Sequence, residues 1–265
     1  MKISNCKWVV AACCLSIGIV EAEPMPVRRV QGYLHGFLVL KDMDDKTIAS
    51  GDLTQTPAGN HVTTILSIHF RDGSLWEETS VFSQRKVFQL VSYKQVQKGP
   101  SFKTPQTLSL NTSTGKVNVE YAEKDGSMKT IAEQMPLPPD LGNGIVTMLL
   151  TNADPKLETT LSMLVSTPKP RLAKLKISAA EQQDSFLVGG VGAKATHYIV
   201  KIDIGGATGV VAKVIGKQPP PINIWIAAGN APVFLKSEGA FYEDGPIWRI
   251  ELASPTWPKV SPAAK

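Results

Sequence analysis

Apolar and polar side chains alternate one by one through long stretches of this chain, and that period commits it to sheet. In residues 61–70, Val62, Thr64, Leu66, Ile68 and Phe70 fall on one side. Residues 196–204 repeat the pattern, with Tyr198, Val200, Ile202 and Ile204 on one side and His197, Lys201 and Asp203 on the other. Val87, Val91 and Tyr93 follow it more loosely. Side chains two residues apart share a face of a strand, so this alternation describes sheets with one buried and one wet face. Between such runs, Asp72-Gly73, Thr114-Gly115, Asp125-Gly126 and Asp244-Gly245 supply the positive φ of tight hairpins. The spacing predicts about ten to twelve strands joined mainly by hairpins. The expected fold is mainly β: a curved antiparallel sheet or half-barrel.

One segment departs from the alternation. Pro138, Pro139 and Asp140 suit a helix start, and Leu141, Ile145, Met148 and Leu149 then recur at helical spacing up to Asn152. Burying those side chains is worth roughly 1.5–3 kcal/mol each. That outweighs the propensity cost of Gly142 and Gly144, about 1 kcal/mol apiece. A short amphipathic helix is therefore expected on the concave face of the sheet, with the glycines permitting a close approach.

The ends set the compartment. Lys2 and Lys7 precede an uncharged apolar run over residues 8–20, and Val20-Glu21-Ala22 offers a cleavage site before Glu23. A spanning helix needs roughly 20 apolar residues, so the run reads as a secretory signal cut after Ala22. Val10-Ala11-Ala12-Cys13 offers a lipobox alternative, which would strand an apolar stretch behind the cut. Cys6, Cys13 and Cys14 all lie before residue 22, so a domain over residues 23–253 must hold itself together without disulfides. Residues 254–265, with three prolines and no periodicity, read as a loose tail. The 28 basic and 23 acidic residues are spread along the chain, which points away from nucleic acid.

No residue pattern identifies a reaction. His61 and His69 share a strand face but stand roughly 26 Å apart at about 3.3 Å per residue, too far to share a metal. Gly189-Gly190-Val191-Gly192-Ala193-Lys194 lacks the lysine placement, the following hydroxyl and the helix of a phosphate loop, and reads as a hairpin, as does the glycine-rich run 205–209. Glu77 and Glu78 are adjacent and so point to opposite faces. Lys169, Arg171, Lys174 and Lys176 flank an apolar strand. They suit weak contact with an anionic membrane surface, or the guarding of a sheet edge, and the second is preferred.

Several stretches carry a resemblance. They are Tyr93-Lys94-Gln95 with Gly99-Pro100-Ser101-Phe102, Leu137-Pro138-Pro139-Asp140-Leu141, and Thr167-Pro168-Lys169-Pro170-Arg171. Further on come Lys194-Ala195-Thr196-His197-Tyr198, Gly216-Lys217-Gln218-Pro219-Pro220 and Pro246-Ile247-Trp248-Arg249-Ile250-Glu251-Leu252. In these the chain resembles uncharacterised bacterial exported proteins and, through them, the lipoprotein-carrier-like (LolA-type) half-barrel group. The resemblance implies a half-barrel that handles a hydrophobic ligand.

The expectation is a periplasmic, non-catalytic binding or carrier module for a lipid or other lipophilic ligand, with no cofactor and no metal. Its expected lining is Ile145, Met148 and Leu149, adaptable apolar side chains on the helix, with Trp225 added. The alternative is an envelope structural or interaction protein whose core is filled. A hydrolase with scattered acids is a third reading.

Overall fold

The computed structural model describes residues 23–167, 169–188, 191–205 and 218–253. The expected signal and the expected tail both lie outside these residues. The first strands are β1 (Leu34–Lys41), β2 (Thr47–Ala58), β3 (His61–Phe70), β4 (Leu75–Gln84) and β5 (Phe88–Lys98). The meander continues through β6 (Gln106–Asn111), β7 (Lys116–Ala122) and β8 (Met128–Gln134). After α1 (Val146–Leu150) come β9 (Thr159–Thr167), β10 (Lys169–Ala179), β11 (Asp184–Val188) and β12 (Val191–Asp203). The last three are β13 (Ile222–Ala227), β14 (Phe234–Ala240) and β15 (Ile247–Leu252).

Among the described residues the strands all pair antiparallel, in one 15-stranded sheet that does not close. It runs from β8 in to β1, crosses to β15, and ends at β12, β10 and β9, with β11 paired to β12. The first and last elements of the described chain thus lie side by side in the middle of the sheet, where Leu40 pairs with Ile250. The count exceeds the expectation because some strands carry no alternation of burial. Along β8, most side chains are exposed on both faces.

The sheet curls so that its two wings share one core. Val62, Phe82, Leu90, Leu110 and Val117 from the first wing join Leu161, Leu175, Ile177, Val200 and Ile224 from the second in one apolar cluster. Across the gap β7 meets β10, and Lys169 faces Glu133 of β8 at 3.7 Å. A second cluster fills another part of the inner face. There Phe70, Trp76, Phe102 and Trp248 meet mostly tilted or edge-on, with ring centroids 5.2 Å apart for Phe70–Trp248. Such contacts add directional preference to the area they bury.

The turns follow their residues. Gly73 and Gly126 take positive φ in the β3–β4 and β7–β8 hairpins. At Asp244-Gly245 it is the aspartate that does so, at φ 56°. The loose alternation near Val91 has a cause: β5 pairs Leu90 with Phe82 and Ser92 with Val81, leaving Val91 as an extra residue. This bulge moves the buried positions from Phe88 and Leu90 to Tyr93, Gln95 and Gln97. Val87, Val91 and Tyr93 therefore do not form the single face expected. β11 and β12 form a hairpin around Gly189 and Gly190, which are themselves outside the described residues, as are residues 206–217.

The helix is shorter than its spacing predicts. Gly144 stands at φ +69°, which ends any helix upstream, and only Val146–Leu150 is helical. Residues 140–143 instead lie along the outer edge of β9. The Ser162 N–H donates to the Asp140 carbonyl (3.2 Å), and the Gly142 N–H donates to the Ser162 carbonyl (2.8 Å). The Asn143 carboxamide completes the edge by exchanging two 2.8 Å bonds with the Leu164 backbone. Backbone groups committed to a strand edge cannot also serve a helix.

The edge-guarding reading of β10 is corrected. This strand is hydrogen-bonded to β9 on one side and β12 on the other. Its basic side chains face acids: Lys169 faces Glu133, Arg171 faces Glu243, Lys174 faces Asp140 and Lys176 faces Asp203.

Candidate functional site

The expected lining residues separate into two places. Ile145, Met148 and Leu149 are 1%, 8% and 2% exposed, and all three belong to the larger core cluster. They plug the curl of the sheet, held there by Gly144. A Cβ on Gly144 would collide with the Ser80 hydroxyl and come within 2.8 Å of the Tyr93 ring. Trp225 is not with them. Ile224 and Ile226 point into the core, so Trp225 between them faces the outside of β13. There it stacks on His197, with ring centroids 4.3 Å apart and an interplanar angle of 7°. The Lys236 ammonium stands 3.9 Å from the centroid of the indole, whose N–H donates to Asp184. These contacts occupy Trp225 in the outer surface.

Cross-strand register reveals a polar belt that sequence reasoning missed. Leu53, Leu66, Glu78, Gln95 and Leu108 are successive direct partners from β2 to β6, and so form one row on the inner face. In the next rows Ser80 pairs with Tyr93, and Trp76 with Gln97. A carboxylate, two carboxamides, a hydroxyl and a phenol thus lie between the two apolar clusters. Tyr93 O–H donates to Glu78 Oε1 at 2.9 Å. The Gln95 amide donates to Gln97 (3.3 Å), and Gln97 donates to the Thr104 carbonyl (2.8 Å). The Ser80 hydroxyl is fully enclosed and has no hydrogen-bond partner.

Glu78 is the electrostatic centre of this belt. Burial pushes its carboxyl above the usual glutamate value, against the Tyr93 and Trp76 hydrogen bonds that favour the ionised form. Burial also raises Tyr93 well above the usual tyrosine range, and the neighbouring Glu78 charge adds to this. Among the described residues, no lysine, arginine or histidine pairs with Glu78. Although protein surrounds it, Glu78 is only half-buried, as are its row neighbours Leu53 and Leu66. All three keep part of their surface accessible on the inner face, where Leu53 and Leu66 pack against the aromatic cluster. Two surface clefts, of about 320 Å³ beside Tyr33 and His35 and about 470 Å³ beside Thr112 and Gln134, are not lined by them.

One further cluster has the ingredients of chemistry. The Ser162 hydroxyl lies 2.8 Å from both Asp140 Oδ1 and Lys174 Nζ. However, Ser162 is 1% exposed, and its partner Asp140 belongs to the segment that covers the β9 edge. The cluster holds that segment in place and leaves no approach to the hydroxyl. No group of three or more His, Cys, Asp and Glu side chains among the described residues could hold a metal ion.

Comparisons with known proteins give one structural likeness. A beta-barrel-like protein of a domain of unknown function, DUF1849, from Brucella abortus aligns over 88% of this chain and 97% of its own length. The identity is 8% and the TM-score 0.43. No residue role is carried across at that level. No protein-family model matches the sequence, and no curated protein matches it.

The belt was hidden in the sequence because its members sit at scattered positions that only register brings together. Its one local trace was Glu78, a charged residue on the same face as Trp76 and Phe82.

Proposed function

We propose that this chain is a non-catalytic exported binding module, and that an amphipathic ligand lies on the inner face of its sheet beside Glu78. The observation that supports this most is the polar belt between two apolar clusters. Buried polar groups cost free energy that leucines in the same places would not. An amphiphile gives them a use: its head meets the belt while its chain meets Leu53, Leu66 and the aromatic cluster. Binding sites for small ligands commonly combine a mostly apolar lining with a few placed polar groups. Export rests on the signal pattern of residues 1–22 and makes the periplasm the expected compartment. The finer likeness to the lipoprotein-carrier half-barrels fits the same reading.

The close packing of Ile145, Met148 and Leu149 favours a second reading, an envelope structural or interaction protein whose core is complete in itself. Native mass spectrometry on protein purified from its own envelope separates the two. A bound amphiphile that chloroform–methanol extraction removes supports the binding module. A single apo mass from gently prepared material supports the filled core.

A further inference from the structure

We infer that the site beside Glu78 selects amphiphiles by the charge of the head, accepting uncharged or cationic heads and refusing anionic ones; this rests on the binding reading above. The belt presents Glu78 beside the carboxamides of Gln95 and Gln97 and the Tyr93 phenol, with no cation at its positions on β3 to β6. Tyr93 commits its proton to Glu78, and one Gln97 amide hydrogen goes to a backbone carbonyl. The inward side of β10 carries Lys169 and Arg171, but these face Glu133 and Glu243, each a carboxylate of its own.

An anionic head is disfavoured in either state of Glu78. If Glu78 is ionised, two negative charges meet in an enclosed place. If it is protonated, the ligand's anion is buried with no cation to offset its desolvation. An ammonium, by contrast, gives Glu78 a cationic partner that no described residue supplies, and a hydroxyl-bearing head can donate to it or to a carboxamide oxygen.

Three fluorescent probes with the same acyl chain test this on wild-type protein from residue 23: a monoacylglycerol, an alkylamine and a fatty acid. The glycerol and amine heads should bind at least about tenfold more tightly than the carboxylate. In Glu78→Gln the amine should lose about tenfold in affinity, while the glycerol head should be nearly unaffected. Fatty acid binding as tightly as the glycerol probe would overturn the head-charge inference, and so would an amine affinity unchanged by Glu78→Gln. In both cases the binding reading would stand. Uptake of none of the three probes would overturn that reading as well.

Discussion

Glu78 stands in a row where Leu53, Leu66 and Leu108 occupy the other aliphatic places, and burial raises its carboxyl above the ordinary value of 4.5. A raised folded-state value means that protonation favours the fold. The contribution is complete below pH 4.5 and is lost as pH rises through the folded value. Above that, wild-type protein must fold around a buried charge that Glu78→Gln lacks. The glutamine variant should therefore melt higher than wild type at pH 8, and the two should converge below about pH 4.5, with a slope of at most about 1.4 kcal/mol per pH unit. Thermal melts across that range decide it. A variant less stable than wild type at pH 8 that converges with it at low pH would mean that the Tyr93 and Trp76 bonds to the carboxylate outweigh its burial. Met148, 8% exposed in the core, gives a plainer case. Met148→Lys should melt early or fail to accumulate, because an unpaired buried charge costs several kcal/mol, comparable with the stability of a whole domain.

Residues 140–150 show how far an element can be read from sequence. The helical spacing of Leu141, Ile145, Met148 and Leu149 correctly indicates which side chains are buried, yet the first two lie outside the helix, Ile145 as its N-cap. Leu141 forms a parallel bridge to Ser162 instead. Spacing reports a face, whereas the boundary was set by Gly144 and by an edge strand needing partners, neither of which periodicity records. Burial of β10 was misjudged for a similar reason. Its lysines look like edge guards until register shows strands on both sides. The polar belt left only Glu78 as a local trace, since Glu78, Gln95 and Leu66 meet only through pairing. The structure now makes the edge testable. Asn143→Ala removes both bonds to Leu164, and should cost roughly 1–3 kcal/mol for each buried backbone group left unpaired. Denaturant midpoints measure this, and a loss under about 0.5 kcal/mol would show that water replaces the amide. Gly144→Ala should also destabilise, by more than about 1 kcal/mol, because it combines a strained φ with a collision against Ser80 and Tyr93.

At the scale of the whole molecule, one open sheet is stabilised by the two apolar clusters it wraps, with a short helix as plug. No cysteine follows residue 14, so the melting temperature of protein starting at Glu23 should be the same with and without reductant. The central claim is that the inner face at Leu53, Leu66 and Glu78 receives a ligand. Leu66→Trp adds bulk beside Glu78 while keeping that position apolar. The most direct measurement is the uptake of fluorescent monoacylglycerol by wild type and by Leu66→Trp, each with its melting temperature. The account predicts saturable uptake by wild type and its loss, by about tenfold or more, in a variant that still melts cooperatively. Equal uptake by a folded Leu66→Trp protein would contradict it.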